Sequence, residues 1–329
     1  MSGQPLLEVR GLRTSFDTPA GVTTVLDGLD LEIGRGEILG LVGESGSGKS
    51  VTAYSILRLV RPPGRVDGGE VLLEGRDLLA LPEREMRGVR GKEISMIFQD
   101  PRGFLDPVAR VGSVLREIYR IHEGGSRREA KARALELLRD VGLPAPQRVY
   151  RAYPHELSGG MAQRAMIALA LACSPKLLIA DEPTTALDVT IQIQIVRLLA
   201  SLRERLGLTI LLITHNLSVV AEVCDRVAVM YAGEIVETAP AEEIFARPRH
   251  PYTIGLLGAR PRISAVEERL SDIGGRVPDL HDLPSGCRFH PRCFLADERC
   301  RHEAPLLRPL AAGHRSRCHY AEQLGEDAA

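Results

Sequence analysis

The residues best suited to chemistry lie early in the chain. Gly43-Glu-Ser-Gly-Ser-Gly-Lys-Ser50 fits the spacing G-x-x-x-x-G-K-[ST]. Through Gly43, Ser45, Gly46, Ser47 and Gly48 a backbone of this composition can turn its N–H groups inward around a polyphosphate, because glycine accepts the required left-handed geometry. Lys49 can reach β- and γ-phosphates, and the Ser50 hydroxyl can ligate Mg²⁺. A second set of groups sits 130 residues downstream. In Leu177-Leu-Ile-Ala-Asp-Glu182, four apolar residues are followed by two carboxylates. Asp181 is suited to holding Mg²⁺ and Glu182 to orienting and deprotonating an attacking water. An acidic pair after a strand is common, and the phosphate-loop pattern upstream is what gives this pair meaning. A third feature is Leu157-Ser-Gly-Gly-Met161, where Ser158, Gly159 and Gly160 open an apolar helical stretch. Helix N-termini receive phosphate. One chain already holds a full γ-phosphate cradle, so a second such start points to nucleotide bound by another subunit. A purely structural Gly-Gly helix start is the competing reading.

These residues require particular elements to position them. Glu37 to Val42 reads as a buried strand and Val51 to Leu59 as a helix, so the glycine loop joins a strand to a helix, as phosphate binding demands. Leu6 to Phe16 and Val22 to Ile33 read as strands around a turn at Thr18-Pro-Ala-Gly21, and Glu70 to Leu73 as another strand. Residues 82–92 are charged and read as a surface helix or loop. Ile94 to Phe98 reads as a buried strand ending at Gln99. From Pro101 to about Ala172 the pattern is helical, over 111–122, 126–141 and 159–173. Strands return at 177–180, 209–213 and 227–230, with helices over 189–206 and 217–224. An α/β core interrupted by a helical insert accounts for this order. Residues 241–329 are rich in Pro, Arg, His and Cys with little periodicity, and read as an appendage.

Composition excludes some classes of function. The 329 residues carry 42 basic and 43 acidic side chains, a net charge of −1, so nothing global points to nucleic acid. Lysine occurs only at 49, 92, 131 and 176, which makes its place in the glycine loop less accidental. Neither a charged segment leading into an apolar core nor an uninterrupted apolar run of about 18 residues is visible. A cytoplasmic protein is expected.

The order of these motifs resembles the nucleotide-binding subunits of ABC transporters, over roughly residues 6 to 260. The Leu157–Met161 run is similar to that family's signature. The resemblance implies an ABC-type P-loop NTPase core with an antiparallel β subdomain and a helical subdomain, followed by a small Cys-rich extension. It implies further roles. Gln99 would sense Mg²⁺ and contact membrane subunits. Asp188, in Ala186-Leu-Asp188, would cross to the partner subunit. His215 would contact the γ-phosphate, and Phe16 would stack on adenine. With Ser50 and Asp181, Gln99 would complete the Mg²⁺ set. Stretches such as Tyr153-Pro-His-Glu-Leu157 and His250-Pro-Tyr-Thr253 are similar to the oligopeptide and dipeptide importer ATPases. Expected boundaries are 1–245 for the nucleotide-binding domain, with its helical part at about 101–172, and 246–329 for the extension.

By that resemblance the chain hydrolyses ATP at the cytoplasmic face of a membrane and powers import of di- or oligopeptides. Its expected partners are a second ATPase subunit forming a heterodimer, two transmembrane permease subunits and an extracytoplasmic binding protein. A nickel or glutathione importer is the nearest alternative, and a soluble ABC ATPase is a more distant one. Asn216, Ala162 and Asp106 depart from the usual family residues, and none removes a catalytic group. Cys287, Cys293, Cys300 and Cys318 crowd the tail. Four thiols in 32 residues suggest metal ligands rather than disulfides in a cytoplasmic protein. Their spacing lacks the C-x2-C pairs of most structural zinc sites. Some peptide-importer ATPases carry a [4Fe–4S] cluster on a similar set, and by that resemblance a [4Fe–4S] cluster is expected, with Zn²⁺ or no metal as alternatives.

Overall fold

The computed structural model describes residues 4–185, 187–258, 273–311 and 313–324. Ala186 therefore lies outside the described residues, as do 259–272 within the tail. In chain order the strands are β1 (Leu7–Thr18), β2 (Gly21–Ile33), β3 (Ile38–Val42), β4 (Gly64–Leu73), β5 (Arg76–Asp77), β6 (Ile94–Ile97), β7 (Leu177–Asp181), β8 (Thr209–Ile213), β9 (Arg226–Tyr231), β10 (Glu234–Pro240), β11 (Arg308–Ala311) and β12 (His314–Ser316). The chain divides into two compact units, and each is built around its own strands.

The first unit takes in the described residues of Met1–Ile33, Leu39–Leu79 and Thr214–Ala329. It holds an antiparallel sheet in the order β2-β1-β4-β5. Alternation along β1 and β2 buries Leu7, Val9, Leu12, Leu26, Leu29 and Ile33 on one face, the half-buried pattern of an antiparallel sheet. A second set of strands runs β11-β12-β10-β9-β3. β3 and β9 pair in parallel, with Leu39 opposite Arg226 and Val42 opposite Val229. All five residues of β3 are buried, which is why the sequence there reads as a continuous apolar run. β4 begins at Gly64, six residues earlier than its apolar stretch suggests, because Gly64 to Glu70 pair with β1 through polar and glycine positions.

The second unit comprises Gly34–Ile38 and the described residues of Ala80–Ile213. Its strands run β8-β7-β6, all parallel, with Leu177 opposite both Ile94 and Thr209. Helices fill most of the rest: Val111–Glu123, Arg127–Asp140, Pro146–Arg151, Gly159–Ala170 and Val189–Leu206. The helix Arg127–Asp140 starts in a complete capping box between Ser126 and Glu129, a signal written in the sequence.

The tail is more ordered than its composition suggests. Short helices cover Ala241–Ala246 and Pro251–Gly258, and β12 pairs with β10. Glu237 is fully buried in that pairing, where its Oε1 accepts from the Arg249 N–H at 2.5 Å and lies 2.8 Å from His314 Nε2. A buried carboxylate within a strand disguises the strand's apolar pattern.

Candidate functional site

In the first unit the glycine loop follows β3 and ends in the helix Lys49–Ile56. Gly43 has φ 158°, and a Cβ there would come 2.2 Å from the Met230 carbonyl oxygen, so no larger residue fits. At Gly46, φ is 81° and a Cβ would meet nothing within 4 Å. The loop is thus pressed against β9 on one side and open on the other, which suits a cradle for a phosphate chain. Lys49 is buried and its Nζ donates to the carbonyls of Gly43 and Glu44 at 2.8 and 2.9 Å. The helix has Gly48 as its N-cap and no side-chain cap hydrogen bond, and a helix N-terminus of this kind favours anions. The same helix is pinned to β1 by a buried Thr14 Oγ1 to Ser55 Oγ hydrogen bond of 2.8 Å.

Phe16 lies near the end of β1 opposite Gly64 of β4. A Cβ on Gly64 would fall 2.4 Å from Phe16 Cε1, so the ring rests on bare backbone and keeps a partly exposed face. His215 is exposed just beyond β8. Its neighbour Thr214 donates an N–H to the Leu41 carbonyl at 3.3 Å, which fixes this loop beside the strand that feeds the glycine loop.

In the second unit β7 ends at Asp181, which is 1% exposed, and Glu182 follows. Glu182 has φ 45°, a left-handed backbone unusual for a side chain of its size. Its N–H donates to Ile213 O at 2.9 Å, and its own carbonyl accepts from Thr185 N–H at 3.1 Å. Its carboxylate Oε2 accepts from Gln99 Nε2 at 2.9 Å and from Thr185 Oγ1 at 2.8 Å. The structure therefore joins Gln99 to Glu182 directly. The Thr185 contact was not anticipated, although the residue stands in plain view three positions after the glutamate.

Ser158 and Asp188 are both N-caps. Ser158 Oγ accepts from Met161 N–H and starts the helix Gly159–Ala170; Asp188 Oδ1 accepts from Ile191 N–H at 2.9 Å and starts the helix Val189–Leu206. Both side chains are exposed. The glycine loop, Phe16 and His215 thus belong to the first unit, while Gln99, Asp181, Glu182, Ser158–Gly160 and Asp188 belong to the second.

The expected metal centre is corrected. Among the described residues no group of three or more His, Cys, Asp or Glu side chains is arranged to hold a metal ion, which overturns the iron–sulfur cluster expected on Cys287, Cys293, Cys300 and Cys318. Burial pushes all four thiols above the ordinary cysteine value, Cys293 to about 11 and Cys318 to about 12. Cys318 packs with Ala321 and Leu324 in a small apolar cluster alongside Ile254, Leu295 and Tyr320, behaving as a compact hydrophobe.

Comparison with known proteins agrees with this geometry. Residues 26–185 match the ABC transporter family, and residues 236–300 match the oligopeptide/dipeptide transporter C-terminal region. The dimeric structure of the ABC transporter cassette MJ0796 superposes with a TM-score of 0.65 at 29% identity, covering 71% of this chain and 98% of that one. Fold and site together define an ABC-type ATPase cassette. A putative peptide import ATP-binding protein of Brucella melitensis is 52% identical over 97% of this chain and 98% of its own. The dipeptide transport ATP-binding protein DppD of Escherichia coli is 48% identical over 96% of each. The oligopeptide transport ATP-binding protein OppD of Bacillus subtilis is 54% identical over 88% of this chain and 82% of its own. The chain belongs to the ABC transporter ATP-binding subunits, in the group that carries the oligopeptide/dipeptide transporter C-terminal region.

Proposed function

We propose that this chain is the ATP-hydrolysing subunit of an importer for di- or oligopeptides, working in association with membrane permease subunits. The reading of its site is carried by the hydrogen-bonded trio Gln99–Glu182–Thr185, which aims a carboxylate at the end of a parallel strand. That is the place where open α/β sheets present ligands. Gly43–Ser50 bind the phosphates and Lys49 neutralises them. Phe16 stacks on the adenine ring. Glu182 takes a proton from the water that attacks the γ-phosphorus, and His215 contacts the departing phosphoryl group. ADP and phosphate leave, and the proton returns to solvent. Ser50, Asp181 and Gln99 would hold Mg²⁺, which would supply positive charge to the phosphates.

The second half of each ATP site comes from a partner ATPase subunit. Exposed Ser158, with bare Gly159 and Gly160 behind it, supports contact with a nucleotide held by that partner, and exposed Asp188 supports a contact across the same interface. Closure of two such subunits excludes water, and hydrolysis releases them. Phe98 and Phe104 stack at 3.8 Å just beyond β6, with Phe104 and Val108 left exposed. An apolar surface beside Gln99 supports docking of a permease subunit on the cytoplasmic face of the membrane. Among the described residues no helix is long and apolar enough to cross a bilayer, so this reading assigns the crossing to the partners. An extracytoplasmic binding protein would deliver the peptide. The test is co-purification of the chain with its permease subunits, followed by ATPase assays in the presence of binding protein and peptides. Stimulation by peptide-loaded binding protein is expected. Stimulation by a binding protein loaded with nickel, and not with peptides, would overturn the substrate assignment.

A further inference from the structure

The C-terminal extension reaches the phosphate loop itself. Arg292 is only 4% exposed at its side chain, and its Nη1 and Nη2 donate to the two carboxylate oxygens of Glu44 at 2.7 and 3.0 Å. Arg292 is anchored from behind by the carbonyls of Gly274 and Ile273, at 2.9 and 3.2 Å. Its guanidinium also lies over the rings of Tyr231 and Phe289. A second extension residue grips Glu44 from the main chain: the Tyr252 hydroxyl accepts the Glu44 N–H at 2.8 Å. The same Glu44 supplies, through its carbonyl, one of the two acceptors that hold Lys49 Nζ. All these residues lie in the first unit.

A carboxylate inside a phosphate-binding loop is electrostatically adverse, because it repels the polyphosphate the loop must accept. A planar guanidinium meeting that carboxylate with two hydrogen bonds both cancels the charge and fixes the geometry. We propose that Arg292 is a positioning residue for ATP binding: it neutralises Glu44 and, with Tyr252, holds the turn on which Lys49 depends. The extension then contributes to nucleotide affinity as well as to the fold. This rests on Gly43–Ser50 being the ATP loop.

Full-length variants, titrated with ATP and assayed for ATPase kinetics with the permease subunits, test it. Arg292→Met keeps the aliphatic stem against Tyr231 and Phe289 but leaves Glu44 unpaired. The ATP dissociation constant and KM should rise about tenfold or more, as expected for stranding one member of a part-buried charge pair, while kcat at saturating ATP changes less than about twofold. Adding Glu44→Gln to Arg292→Met removes the stranded charge and should restore most of the lost affinity. Arg292→Lys, which keeps the charge without the fork, should fall between. An Arg292→Met protein with unchanged ATP affinity overturns the proposal, as does a loss that Glu44→Gln leaves uncorrected. Lys49→Ala is run alongside. If it retains full ATP affinity, the loop assignment itself fails; if it loses affinity while Arg292→Met does not, only the clamp fails.

Discussion

Glu182 is held more tightly than a surface carboxylate needs to be. Its left-handed backbone costs on the order of 1–3 kcal/mol, and two side-chain donors converge on one oxygen. That arrangement suits a group that must meet one water in one orientation. Glu182→Gln should bind ATP with near-normal affinity and lose about 10²- to 10⁴-fold in hydrolysis, the usual contribution of a general base. Phosphate release measured alongside nucleotide retention checks both halves, and near-normal turnover would remove Glu182 from the base role. The acidic pair was readable in the sequence because it follows a short apolar run, whereas Gln99 was singled out only by the family resemblance. The hydrogen bond between Gln99 and Glu182 was not readable, since 83 positions separate them and only the parallel pairing of β6 with β7 brings their strand ends together. The four tail cysteines show the converse. Their proximity in sequence suggested ligation, but among the described residues the fold does not arrange three such side chains around one point, and spacing carries no record of that.

Fully apolar strands and a long periodic helix were legible, and elements broken by buried polar residues were not. The fully apolar β3, β7 and β8 and the helix Val189–Leu206 lie close to their expected positions. β10 and the helix Pro251–Gly258 were hidden, because a buried carboxylate interrupts the first and a buried histidine opens the second. His250 is 1% exposed, and its Nδ1 accepts the Tyr252 N–H at 3.1 Å. Burial pushes its pKa from 6.5 down to about 3, with a backbone contact to Arg317 opposing part of that shift. An unfolded chain takes up this proton near pH 6.5 and the folded chain does not. The stabilisation from keeping His250 neutral is therefore present above that value and is lost as pH falls from about 6.5 toward 3. At pH 5 the deficit should be about 2 kcal/mol. Melting temperatures recorded from pH 7.5 to 5 should fall more steeply for the natural protein than for His250→Asn, which keeps an acceptor and does not titrate. Parallel curves would show that His250 does not carry this dependence.

The first unit is assembled from three stretches of chain far apart in sequence, and one aromatic cluster binds the last of them to the earlier strands. Phe289 is 2% exposed and meets Tyr231 at 5.2 Å, Tyr252 at 5.4 Å and His250 at 5.7 Å between ring centres. Phe289→Ala should cost about 3–5 kcal/mol, read as a lowered urea midpoint by circular dichroism. ATP affinity should weaken in the same variant, because Tyr252 and Arg292 hold Glu44 from this cluster. An unchanged midpoint would mean the extension contributes little to the unit's stability.

The residue types suited to phosphate and water, their order along the chain, and the apolar strands beside them were present in the sequence, because each depends on a local spacing of glycines, charges and apolar runs. The tertiary structure decided what those local patterns cannot encode. It showed that Glu182 is anchored by Gln99 and Thr185, that Cys300 and Cys318 of the tail are buried, and that the glycine loop is gripped by Arg292 and Tyr252. Each of these outcomes turns on burial or on a hydrogen bond between residues that only the folded chain brings together, up to 248 positions apart for Arg292 and Glu44.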